Sequence, residues 1–118
     1  MTTSHDSPAR VIDEFLAAFN SGDAAALEPL YEVDAVLVPR QGMPVTGRDR
    51  SAAVGYMMRL GKPMRAELRQ CYVAGDIALL VVDWSIPDTD LAGTASDVVR
   101  RGPDGRWRYV IDNPMGTA

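Results

Sequence analysis

The sequence predicts an α+β fold in which helices from the first half of the chain close over a curved antiparallel sheet from the second half, leaving an internal pocket. Three observations carry this. Two stretches before Leu60 show apolar residues at helical spacing, and alternating or β-branched runs dominate from Met64 onward. Helices first and a strand meander last is the layout of α+β domains. No repeat or linker interrupts it, so residues 7–118 are expected to form one domain behind a polar, flexible N-terminus at residues 1–6. At 118 residues the chain is long enough to bury a core without disulfide staples.

Each element has a local cause. Ser7-Pro8 reads as a cap followed by proline in a first helical turn, and Val11, Ile12, Phe15, Leu16, Ala18 and Phe19 form one apolar stripe that ends at Asn20-Ser21-Gly22. Asp23 caps a second short helix, which Pro29 divides into two turns before Tyr31. Ala35 to Arg40 reads as a strand, broken by Gln41-Gly42 and resumed at Pro44 to Thr46 as a short hairpin. A third helix from about Asp49 to Leu60 is stopped by Gly61-Lys62-Pro63. Four strands follow, Met64 to Ala74, Ile77 to Ile86, Gly93 to Arg101 and Arg106 to Pro114, joined by Gly75-Asp76, a Pro87 to Leu91 loop and Gly102 to Gly105. The continuous apolar run Ile77 to Val82 suggests a central strand covered on both faces.

Composition narrows the function classes. A net charge of -4 and a pI near 4.8 argue against a nucleic-acid partner, whose phosphates require clustered Lys and Arg. Cys71 and His5 are the sole residues of their kinds, so no zinc-type ligand set can form, and no metal or cofactor is expected. No apolar run approaches the ~20 residues of a membrane span, and MTTSHDSPAR lacks the apolar core of a secretory signal. A cytoplasmic protein without a membrane partner is the expectation. Leu80, Val82, Trp84 and Ile86 alternate on one strand, and Trp107, Tyr109 and Ile111 on another. Placed on the outer sheet face they would expose a large apolar patch, which predicts a homodimer through that face.

Several segments together resemble the SnoaL-like and ketosteroid-isomerase-like domains of the nuclear-transport-factor-like superfamily. They are Phe19-Asn20-Ser21-Gly22-Asp23, Leu30-Tyr31, Asp34-Ala35-Val36, Thr46-Gly47-Arg48 and the closing stretch from Asp104 to Pro114. The resemblance implies a cone-shaped, cystatin-like roll with the helices packed into the concave face of a mostly antiparallel sheet, commonly dimeric, around a small-molecule pocket. The isomerase chemistry of that family uses a carboxylate base, a helix-one tyrosine and a protonated aspartic acid. Here Phe15 stands where the tyrosine would be, Val38 or Pro39 where the base would be, and only the aspartic acid survives, as Asp97.

Asp83, Asp97 and Asp112 each interrupt a largely apolar strand, where a carboxylate is costly unless paired, hydrogen-bonded or lining a wet pocket. If Ile86 pairs with Ala92 and Arg101 with Arg106, all three point to one face, with Asp83 and Asp112 opposite Ala95. A register one residue away at Pro103-Asp104-Gly105 would instead group Asp97 with Trp107, Tyr109 and Ile111. The resemblance favours the first register, since it implies Asp97, Val110, Asp112 and Pro114 in the pocket. Grouped carboxyls raise one another's pKa, so Asp97 is the candidate general acid, assisted by Asp83 or Asp112. The alternative is structural, with Asp112 capping amides near Asn113-Pro114 and Asp83 paired to an arginine. Phe15, Met57, Met58, Val11, Leu79, Val81, Val99 and Val110 are expected to supply apolar wall, and Tyr31 and Arg40 to meet a polar ligand group at the mouth. Two functions fit. One is a general acid/base enzyme of isomerase or cyclase type acting on a small cyclic or polyketide-like metabolite. The other is a non-catalytic ligand-binding or accessory dimer.

Overall fold

The computed structural model describes residues 7–117; the stretch expected to be flexible, residues 1–6, lies outside them. Helix α1 (Arg10–Ser21) buries Val11, Ile12, Ala18 and Phe19, and ends at Gly22, whose left-handed backbone lets its N–H reach Phe19 O. It starts later than the Ser7-Pro8 signal suggested, because Ser7 and Pro8 form a preceding turn through bonds to Arg10 and Val11. Asp23 accepts from Ala25 N at 3.0 Å and caps the first of two 3-10 turns, Ala24–Ala26 and Glu28–Leu30, as Pro29 requires. Strand β1 (Tyr31–Arg40), strand β2 (Met43–Val45) and helix α2 (Gly47–Met58) follow, then β3 (Arg65–Ala74), β4 (Ile77–Ser85), β5 (Ala92–Arg101) and β6 (Trp107–Asp112). Among the described residues no helix is long and apolar enough to cross a membrane.

The strands form one curved sheet in the order β2-β1-β6-β5-β4-β3, antiparallel except where β6 runs parallel to β1. α1 packs over β3 and β6 and α2 over β1, so the core fills the concave side. This is the α+β cone expected of the sequence.

Two registers depart from expectation, and both move site residues. Ile86 N donates to Leu91 O at 2.9 Å, which shortens the β4–β5 connection to Pro87 through Asp90 and pairs Ser85, not Ile86, with Ala92. A one-residue slip turns every side chain over. Ala78, Leu80, Val82 and Trp84 therefore face the core, while Ile77, Leu79 and Asp83 face outward. β4 is thus covered on one face only, and its apolar run is read by alternation.

At the other hairpin Arg101 pairs with Trp107, which is the competing register, and a bulge at Val110 moves the pairing one residue further, so that Val98 pairs with Ile111 and Asp112 regains the inward facing of the first register without its pairing opposite Ala95. The bulge shifts the phase of β6. Trp107 and Tyr109 point inward on one side of it and Asp112 on the other. The expected dimer residues Leu80, Val82, Trp84, Trp107 and Tyr109 are consequently all in the core and cannot form an interface.

Candidate functional site

A cavity of about 160 Å³ opens between the helices and the sheet, close to the size that takes a single-ring apolar molecule. α1 contributes Phe15 and Phe19, α2 contributes Met57, and Trp84 lines the sheet side. Beyond β6 the chain folds into a turn that supplies Pro114 and Met115. That turn is fixed by Trp84 Nε1 donating to Pro114 O at 2.6 Å, by Asn113 Nδ2 donating to Ser96 Oγ and Gly116 O, and by Ser96 N donating to Asn113 O. Gly116 lies flat on β5; a Cβ there would come within 2.5 Å of Thr94 O.

The polar lining of this apolar cavity is Asp97, Asp112 and Tyr109. Asp97 and Asp112 are both buried, occupy neighbouring strands, and lie close enough that each acts on the ionisation of the other. Asp97 Oδ1 also accepts from Asn113 N at 2.9 Å, and Asp112 Oδ2 accepts from the Tyr31 hydroxyl at 2.6 Å. Burial first, and then the Asp112 charge, push Asp97 well above the ordinary carboxyl range. Burial also raises Asp112, opposed by hydrogen bonds from Tyr31 and Asp97 and by the charge of Arg50. A buried pair of carboxyls raised in this way can both give and accept a proton. Burial, followed by the charge of Asp97, raises the Tyr109 phenol as well.

Of the acids expected to converge, Asp97 and Asp112 do, and Asp83 does not. Asp83 lies on the outer face, where Thr94 Oγ1 donates to it at 2.7 Å and Arg69 pairs with it at 3.4 Å, so for this residue the structural alternative holds. Phe15 and Met57 line the cavity as expected. Tyr31 does not stand at the mouth but behind the floor, and Arg40 is exposed at the end of β1. Val11 and Val99 are buried elsewhere in the core, and Met58 flanks it. Val81 and Leu79 belong to the outer face of β4 and Val110 to the bulge, all off the cavity.

Sequence reasoning offers Tyr109 beside Asp97 only in the register it sets aside, and does not single out Arg50. Tyr109 brings a phenol into the cavity where α1 has Phe15, with the two rings edge to face at 5.8 Å, and the Val110 bulge hid it. Arg50 shares the buried face of α2 with Val54, four residues on, and a charged residue on an apolar stripe was the available signal. Among the described residues no three His, Cys, Asp or Glu side chains converge as a metal-binding group.

A cone of helices packed into a curved sheet defines the class of protein, and solved structures share that fold. A domain from Thiobacillus denitrificans, provisionally named a calcium/calmodulin-dependent protein kinase type II association domain, superposes with a TM-score of 0.78 at 20% identity, covering 95% of this chain and 96% of that one. An NTF-2 like protein from Silicibacter pomeroyi gives 0.70 at 24% identity over 95% and 96%. A protein from Shewanella frigidimarina, provisionally named a ketosteroid isomerase, gives 0.66 at 19% identity over 92% and 95%. These likenesses establish the fold. The sequence profile of the SnoaL-like domain matches residues 12–110, and the chain belongs to that family. No curated protein gives a significant match.

Proposed function

We propose that the chain is a small-molecule-pocket protein of general acid/base type, an isomerase or cyclase acting on a small cyclic or polyketide-like ketone. The observation that carries this reading is the placing of two buried, mutually interacting carboxyls, Asp97 and Asp112, at the floor of an otherwise apolar cavity. A ketone seated there presents its carbonyl oxygen and adjacent carbon to two carboxyls in contact. The protonated acid of the pair hydrogen-bonds or protonates the carbonyl oxygen while the ionised one removes the proton from the neighbouring carbon, giving an enol. Reversal, with delivery to a different carbon, completes an isomerisation with no net proton change. The Tyr109 phenol lies in the same wall as a second donor.

Incubation with a panel of cyclic enones in deuterated buffer tests the reading. Deuterium should enter at carbons next to the carbonyl faster than in buffer alone, and the rate should fall at least ~100-fold in D97N and D112N, the usual size of a general-acid/base contribution. Exchange at the buffer rate throughout would end the catalytic reading. A second reading, a non-catalytic ligand-binding dimer, is favoured by Phe15 and Pro39 in the cavity wall at the places of the family's hydroxyl and base. Ligand-induced shifts at Trp84 without exchange would support it.

We further propose that the homodimer forms through the outer face by residues other than those first expected. Tyr72, Leu79, Val98, Ile111 and Val36 are successive register partners across five strands, which makes one continuous apolar row. Leu79 and Ile111 are each 38% exposed and Tyr72 57%.

A further inference from the structure

Two groups that control the carboxyl pair do not line the cavity: Tyr31, at the start of β1, and Arg50, in the first turn of α2. β1 is irregular against β6 between Tyr31 and Val36, and such a break takes backbone carbonyls out of the ladder. Arg50 supplies them with donors. It is only 3% exposed, its Nη1 donates to Ala35 O at 3.0 Å and Glu32 O at 3.4 Å, and its Nη2 donates to Glu28 Oε2 at 3.2 Å. Ser51 Oγ also bonds Glu28 and steadies that carboxylate. The guanidinium carbon sits 4.7 Å from the centre of the Tyr31 ring, and the hydroxyl of that ring donates to Asp112. One side chain thus fixes the break in β1, braces the Tyr31 ring and adds positive charge behind Asp112. Burying an arginine is expensive, and nothing in the apolar core of α2 requires one.

Two carboxyls in contact hold one proton between them over a range of pH, and their other neighbours decide which keeps it. Asp112 receives a phenol hydrogen bond and the field of a cation. Asp97 receives one neutral backbone N–H, from Asn113. Beyond these, Tyr109 on β6 lines the same cavity, Glu14 on α1 acts on the Tyr109 phenol, and Glu28 in the second 3-10 turn and Glu32 on β1 accept from Arg50. Glu14, Glu28 and Glu32 are engaged by Arg106, Arg50 and Arg100.

We infer that Tyr31 and Arg50 are positioning residues that hold Asp112 as the carboxylate and so leave the shared proton on Asp97, making Asp97 the acid of the pair and Asp112 its base. The inference deepens the proton-transfer reading and rests on it for its consequence, but the proton's location is a property of the free protein. Carbon-13 NMR of aspartate carboxyls, titrated in wild type, Y31F, R50K and R50M, reads it directly, with D97N and D112N assigning the signals. In wild type Asp97 should be protonated near neutrality and Asp112 ionised. Y31F, which removes one oxygen atom, should move the Asp112 titration up and that of Asp97 down by about one pH unit each. R50M should act in the same direction, and R50K, which keeps the charge without the fork, should recover part of the shift. Should R50M fail to fold, Y31F and R50K still decide. Titrations unmoved in Y31F, or a wild type with Asp112 protonated and Asp97 ionised, overturn the inference. Shifted titrations with no ketone exchange in wild type would leave it standing and remove the proposed catalysis. Catalysed exchange whose pH profile Y31F does not alter would do the reverse.

Discussion

Asparagine at position 97 is the nearest uncharged copy of a protonated aspartic acid. Its oxygen can still accept from Asn113 N and its amide can still donate to Asp112. The fold raises the carboxyl of Asp97 above its unfolded value, so between those two values the folded chain binds more protons than the unfolded one. Stability contributed by this group is therefore greatest below the unfolded pKa and falls as pH rises through the folded one. D97N removes that decline. Thermal melts should show D97N gaining on wild type from pH 4 to pH 8, by roughly 4 °C or more, as a difference of ~1 kcal/mol produces in a domain of this length. D112N should act differently, since its amide would donate to Asp97 and favour the ionised form there. Its melting curve should keep part of the pH dependence, because the burial that chiefly raises Asp97 remains.

The C-terminal turn and the bulged strand are the elements that finish the cavity. Gly116 has φ +60° and leaves no room for a Cβ beside Thr94 O, so G116A meets both backbone strain and a clash. It should cost about 2 kcal/mol or more by denaturant unfolding, and should release Pro114 and Met115 from the wall, shifting Trp84 fluorescence. These elements also mark the limit of what the sequence made legible. The α1 stripe, the divided 3-10 segment, the β1–β2 hairpin and the four-strand meander follow from periodicity and turn residues, and they appear where expected to within a few residues. Asp97 and Asp112 were legible as acids in apolar strands. Their relation to Asp83, Trp84, Trp107 and Tyr109 was not, because facing depends on loop length and on a bulge. Whether Ile86 belongs to the strand or to the turn is decided by one bond to Leu91 O, and an extra residue at Val110 has no composition signal. Arg50 was hidden for another reason: its role depends on carbonyls freed in β1, which only the assembled sheet reveals.

For the whole molecule the outer apolar row gives the clearest measurement. Sedimentation equilibrium should find a dimer, and L79D with I111D should yield a folded monomer with unchanged far-UV circular dichroism. A wild type that stays monomeric at every concentration would remove the proposed interface. The sheet order has a further effect, on when the molecule can assemble. β6 follows the other five strands in the chain, yet it lies between β1 and β5 and, among the described residues, is what joins the β1–β2 hairpin to the rest of the sheet. Until it emerges, Tyr31 has no Asp112 and α2 covers a hairpin with nothing beside it. Contacts of such long sequence separation slow folding. A nascent chain halted before Trp107 would therefore hold the β3–β5 meander with its apolar face bare, which makes the arrival of β6 the step at which a chaperone's hold on this sheet should end.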